Sequence, residues 1–165
     1  MPALSVTATP TKRSTILELA VEAEQRGFAG LASPGISGGN LALCTSLAHV
    51  TSTIPFWTSI YPMYYAHPFE VAVTSGHISE VSGGRFRLGI GVSHERAMSR
   101  LGISSGKPLH DTAEYVAAIR DASRAAGELP PIYLARGTRW YASGLMPLGS
   151  CALGAAGVVW LLQRI

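Results

Sequence analysis

Charge is scarce in this sequence. Only 14% of its 165 residues are Asp, Glu, Lys or Arg, and the 13 basic side chains form neither a run nor a basic helix face. A net charge of +3 scattered in this way lacks the clustered cations that a nucleic-acid backbone demands, so nucleic acid is not expected as a partner. Cysteine is scarcer still. Cys44 and Cys151 lie far apart with no metal-ligand spacing, and no two histidines have it either, so no metal site is expected. Cys44 falls in a helical pattern and reads as a small buried thiol, which suits a reducing cytoplasm. The start MPALSVTATPTKR lacks a basic segment followed by an apolar one. No signal peptide is expected, and the location expected is cytoplasmic.

What the chain does have is apolar residues, 47% of the total, enough for one domain with a real core. They come in alternating blocks. Leu4–Ala8 is a short β-prone run, and Ser14–Arg26 repeats apolar residues at helical spacing until Gly27. Phe28–Ala32 reads as a second strand, and Asn40 is placed to cap a helix over Leu41–Thr51. Ile54–Tyr61 is a third strand closed by Pro62, and Pro68 opens a helix over Phe69–Val81. Ser82-Gly83-Gly84 breaks it, Glu80 and Arg85 are placed to hold that turn, and Phe86–Val92 is a fourth strand. Asp111 is expected to cap a helix over Thr112–Ala126, and Ile132–Ala135 is a fifth strand. Alternating strands and helices with short connections predict parallel strands covered by helices. Strictly sequential strands favour a (β/α) barrel over a doubly wound sheet, yet a full barrel needs about 250 residues.

In either architecture, ligands bind at the C-terminal ends of the strands. The residues just past those ends are Ser33-Pro34, Ser59-Ile60-Tyr61, Ser93-His94-Glu95 and Arg136, which bring hydroxyls, an imidazole, a carboxylate and a guanidinium to one face. Gly89-Ile90-Gly91 lies inside a strand with no third glycine opening a helix, which argues against a dinucleotide loop. Its glycines suit the close approach of a backbone or a flat ring. His94 can serve as a general acid or base, as a donor to a cofactor ring, or as a helix cap. His67, before Pro68, reads as structural, and His49, His77 and His110 as exposed or packing residues. A triad of Ser93, His94 and Asp111 is discounted, because adjacent Ser and His point to different faces.

The string HPFEVAVTSGHISEVSGGRFRLGIGVSHE, from His67 to Glu95, resembles the signature region of the luciferase-like monooxygenase family. These are flavin- or deazaflavin (F420)-dependent oxidoreductases built on a (β/α)8 TIM barrel. His67-Pro68, Glu80, Ser82 to Phe86 and Leu88 to Gly91 carry the pattern. Gly91-Val92-Ser93-His94, with Leu101-Gly102 and Lys107-Pro108, resembles members described as F420-dependent. The resemblance covers about residues 4–135. It implies a truncated N-terminal half-barrel of about five parallel strands with outer helices, with F420 or FMN as cofactor and a small organic molecule as substrate. It implies ring contacts from Ser33, Ser59, Ile60, Tyr61, Gly91, Ser93 and His94, with His94 the one catalytic candidate. It also implies a non-prolyl cis peptide between Ser59 and Ile60. The cofactor carries the chemistry, hydride transfer or reduced-flavin oxygen activation, and the protein orients it and excludes water.

Two departures from the family stand out. The later strands and loops, which in the family hold the cofactor phosphate, do not follow strand five, so a half-barrel would expose edges and an inner face and is expected either to be unstable or to oligomerise. From about Arg136 the family's next helix is replaced by RGTRWYASGLMPLGSCALGAAGVVWLLQRI. Arg139 to Ala142 can be encoded CGA TGG TAC GCN, whose neighbouring frame reads Met-Val-Arg, so residues 136–165 are read as an atypical apolar tail of frameshifted origin. Gly144–Leu162 carries no charge and is long enough for a membrane span, though its glycines and Pro147 are poor helix formers. Three readings stay open: a flavin or F420 oxidoreductase, a half-barrel unable to hold cofactor, and a small membrane-tethered α/β binding domain.

Overall fold

The computed structural model describes residues 4–5, 13–33, 40–104, 106–126, 132–135 and 162–164. The elements run β1 (Leu4–Ser5), α1 (Arg13–Gln25), β2 (Leu31–Ser33), α2 (Asn40–Val50), β3 (Phe56–Thr58) and β4 (Tyr61–Pro62). A 3-10 turn (Met63–Tyr65), α3 (Pro68–Val81), β5 (Phe86–Gly91), α4 (Glu95–Arg100), α5 (Pro108–Ala126), β6 (Ile132–Ala135) and β7 (Leu162–Arg164) follow. The sheet order is β1-β2-β3-β5-β6-β7, with β4 beside β5. Every pairing up to β6 is parallel. This is the sequential order of a (β/α) barrel, and the described strands form its first part as an open sheet. At the far end β7 pairs antiparallel with β6, a strand that the sequence placed inside the apolar tail.

Helices start and stop where local chemistry dictates. Ile16, Ala20 and Ala23 bury one face of α1. Gly27, at φ 70°, ends it, and the amides of Gly27 and Phe28 return to the carbonyls of Glu24 and Ala23. Pro68 sits in the first turn of α3, and Nδ1 of His67 accepts the Phe69 amide at 3.2 Å. The helix α5 begins at Pro108, four residues before the expected start at Thr112, because proline is favoured at a first helical position. Asp111 therefore lies inside the first turn instead of capping the helix.

Leu31, Phe56, Phe86, Leu88 and Ile90 alternate along the strands and share one core cluster with Leu47 of α2, Val71 and Ile78 of α3 and Ile119 of α5. Phe56 and Phe86 meet with ring centroids 5.7 Å apart. Ala32, Trp57, Arg87 and Gly89, at the intervening positions, belong to the opposite face.

The Ser-Gly-Gly-Arg turn is a brace at the N-terminal end of the sheet. Gly83 and Gly84 adopt φ 61° and 77°, which glycine alone reaches at little cost. The Arg85 guanidinium donates to Oγ1 of Thr51 and to the carbonyls of Ala48, Thr51, Ile54 and Ser82. It thereby fastens the α2–β3 connection to the α3–β5 turn. Glu80 contributes its backbone carbonyl, which takes the Gly83 amide. Glu24 holds the same connection from α1: its carboxylate accepts the amides of Ser52, Thr53 and Ile54 and the Thr53 hydroxyl.

Candidate active site

The expected third strand, Ile54–Tyr61, is two short ones. Phe56 and Trp57 pair with Phe86 and Arg87, whereas Tyr61 and Pro62 pair with Ile90 and Gly91. Between these pairs one strand advances by one residue more than the other, which defines a β-bulge at Thr58–Ile60. The Ser59–Ile60 peptide is cis, at the position the family resemblance implies.

Several polar groups at this bulge find partners on neighbouring elements. The Ser59 amide donates to the Ser33 carbonyl at 2.7 Å, extending the β2–β3 ladder. Buried Thr58 reaches across to β5, where its hydroxyl donates to the Gly89 carbonyl and accepts the Gly89 amide, both at 2.8 Å. The Ile60 carbonyl takes Nδ2 of Asn40 at 3.1 Å, and Oδ1 of Asn40 takes the Ser33 hydroxyl at 2.6 Å. Cys44, fully buried one helical turn on, is a further partner of Ser33, and burial pushes its thiol up to about 12.

Past the bulge, consecutive tyrosines bind opposite ends of the segment that follows β5. The Tyr65 hydroxyl lies 3.1 Å from Oγ of Ser93, and the Tyr64 hydroxyl donates to Asp111 at 2.7 Å. Burial and then the Asp111 carboxylate raise the Tyr64 pKa, so it stays a donor. Tyr115 closes the arrangement by donating to the Ala66 carbonyl at 2.8 Å.

Of the residues singled out by sequence, Ile60 and Gly91 meet at the C-terminal end of β3–β5, where Ser59 and Ser93 also lie in the chain. Ile60 lies directly against Gly91: a β-carbon there would meet Cγ1 and Cδ1 of Ile60 at 3.3 Å. Ser33 is buried; its carbonyl takes the Ser59 amide directly, and its hydroxyl reaches the Ile60 carbonyl through Asn40. Tyr61, opposite Ile90, packs toward the helix layer, where burial and then Glu70 raise its pKa. His94 is exposed at the N-cap position of α4, and its imidazole does not cap that helix. His49, His77 and His110 are exposed. Pro34, Arg136 and residues 136–161 of the apolar tail lie outside the described residues. Among the described residues no helix is long and apolar enough to cross a membrane.

Asn40 and Thr58 are the residues that sequence reasoning missed. Asn40 reads as a helix cap and Thr58 as an ordinary strand residue, and only the bulge gives either a long-range partner. A shallow cavity of about 350 Å³ lined by Glu95, Met98, Ser99, Gly102, Ile103 and Ser104 lies within α4 and its following loop. It borders His94 through Glu95 and does not include the bulge, where the polar groups converge.

The Ile60–Gly91 contact tests whether a flat ring suits this place. Gly91 offers no side chain, so Ile60 packs directly onto its backbone as an apolar wall, and Ser93, bonded to Tyr65, follows two residues on. That combination fits the face and polar edge of a flavin or deazaflavin.

Known proteins resemble the chain along most of its length. The profile of the luciferase-like monooxygenase family matches residues 3–147, running past the boundary expected at 135. Over 79 residues the chain is 38% identical to a 5,10-methylenetetrahydromethanopterin reductase of Archaeoglobus fulgidus, a stretch that is 48% of this chain and 24% of that protein. The coenzyme F420-dependent tetrahydromethanopterin reductase of Methanopyrus kandleri superposes with a TM-score of 0.56 at 21% identity, over 73% of this chain and 38% of that one. The FMN-bound oxygenating constituent of 3,6-diketocamphane monooxygenase from Pseudomonas putida gives 0.57 at 20%, over 73% and 37%. The chain thus spans less than half the length of each. With the parallel sheet in barrel order and the profile match over most of its residues, the chain belongs to the luciferase-like monooxygenase family.

Proposed function

We propose that this chain carries the ring-side part of a flavin-type site and acts as an F420- or FMN-dependent oxidoreductase on a small organic substrate. The observation that carries the reading is the bulge at Thr58–Ile60 with Ile60 packed onto Gly91, at the strand ends where barrels of this kind place ligands. F420 is the first cofactor to test, because the reductase of A. fulgidus shares 38% identity over its matched stretch and its structural counterpart from M. kandleri is F420-dependent.

Such a cofactor, when bound, supplies hydride transfer or, as reduced flavin, reaction with oxygen. This chain's residues have simpler work. Ile60 and Gly91 shape the wall against which a ring lies. Ser93, sharing a hydrogen bond with Tyr65, can offer its remaining capacity to the ring's polar edge. His94, just beyond, stands where it can bind the ring edge or move a proton at the substrate. The division into a half-barrel at 1–135 and a tail at 136–165 of frameshifted origin is part of the same proposal. Translating the gene in all three frames tests it, and finding no frame that restores a fifth helix and later strands rejects it.

A titration of the purified chain with F420 and with FMN, followed by fluorescence and thermal unfolding, tests the function. Saturable binding with a raised melting temperature supports it. Failure to bind either favours the second reading, a half-barrel that holds no cofactor, for which the open sheet of the described strands speaks.

A further inference from the structure

The chain of hydrogen bonds behind the bulge has a direction. Buried Cys44 keeps its proton, since burial pushes the thiol up to about 12. Ser33 has a single hydroxyl proton, and at 2.6 Å it faces Oδ1 of Asn40. With that oxygen engaged, the Asn40 amide must turn its N–H groups the other way, and one of them meets the Ile60 carbonyl at 3.1 Å. Asn40 itself is held firmly. It opens α2, whose Leu41, Cys44 and Leu47 are buried in the core. Its side chain therefore ties a rigid helix to the one place where the third barrel strand leaves its ladder.

We infer that Asn40 is a positioning residue: held in one amide orientation by Ser33, it fixes the Ile60 carbonyl and so the Ile60–Gly91 wall of the site. The link to a cofactor rests on the flavin-type reading above, whereas the link to the bulge does not.

Asn40→Asp keeps the shape of the side chain and exchanges the donor for an acceptor. Two readouts follow: the backbone amide signals of Ser59, Ile60 and Tyr61 by NMR, and the dissociation constants for F420 and FMN. The expected result is displaced signals for residues 59–61, unchanged ones for the α3 core at Val71–Ile78, and cofactor binding weakened by about tenfold or more. Ser33→Ala, which frees the Asn40 amide to turn over, should move the same signals and weaken binding by about threefold. It decides the matter if the Asp variant does not fold. Unmoved signals at 59–61, or cofactor binding equal to that of the unaltered chain, overturns the inference. If the unaltered chain binds neither cofactor, the flavin-type reading falls and the amide signals alone decide: displaced signals sustain the role of Asn40, unmoved ones reject it.

Discussion

At position 91 a β-carbon would stand 3.3 Å from Cγ1 and Cδ1 of Ile60, closer than packed carbons normally sit. The backbone there does not need glycine, so Gly91→Ala should fold, lower the melting temperature by only a few degrees and push Ile60 out of place. F420 binding by this variant, measured by fluorescence, is expected to weaken by about tenfold or more. Thr58 presents a different residue-scale case. Its hydroxyl serves both the amide and the carbonyl of Gly89, so Thr58→Val leaves two buried backbone groups without partners. The expected cost is about 2–3 kcal/mol by denaturant unfolding. Glu24 contributes at the other end of the sheet. Burial alone would raise its pKa, but the amides of Thr53, Ile54 and Ser52 and the Thr53 hydroxyl outweigh it, and the net shift is downward. The carboxylate thus stabilises the fold above the ordinary glutamate value of about 4.3, and that share is lost as pH falls through its lower folded value. Melting curves between about pH 3 and 6 should show the loss, and Glu24→Gln should flatten it.

Among the described elements, the α2–β3 connection is braced from two sides, by Glu24 and by Arg85. Arg85 makes five hydrogen bonds through three nitrogens, and its charge lies 5.4 Å from the centroid of the Phe56 ring. A lysine cannot reproduce that fork, so Arg85→Lys should cost about 2 kcal/mol or more, read as a lower denaturant midpoint. Elements of this kind were largely legible in the sequence. The Ser-Gly-Gly turn, the Pro68 helix start and the Gly27 stop each follow from one residue's backbone preference. The bulge was not legible by pattern, because Ile54 to Tyr61 is apolar apart from Thr58 and Ser59 and lacks the alternation that would reveal a slipped register. Family resemblance located Ser59–Ile60 where periodicity could not. The short helix α4 and the strand β7 escaped for a related reason. Six and three residues are too few to show a period.

For the whole molecule, the sequential parallel order and its helix layer were readable from alternating blocks. The mouth of the site was readable only as a set of strand ends. Which side chains meet there depends on how the strands slide past one another, and a one-residue bulge sends Tyr61 to the helix layer while Ile60 lies against Gly91. A flavin-type ring lying on the Ile60–Gly91 wall, as proposed, should leave a footprint in amide deuterium exchange of the chain with and without F420. The expected result is slower exchange on binding, confined to residues 58–62 and 89–95. Protection elsewhere, or none at saturating F420, would contradict it.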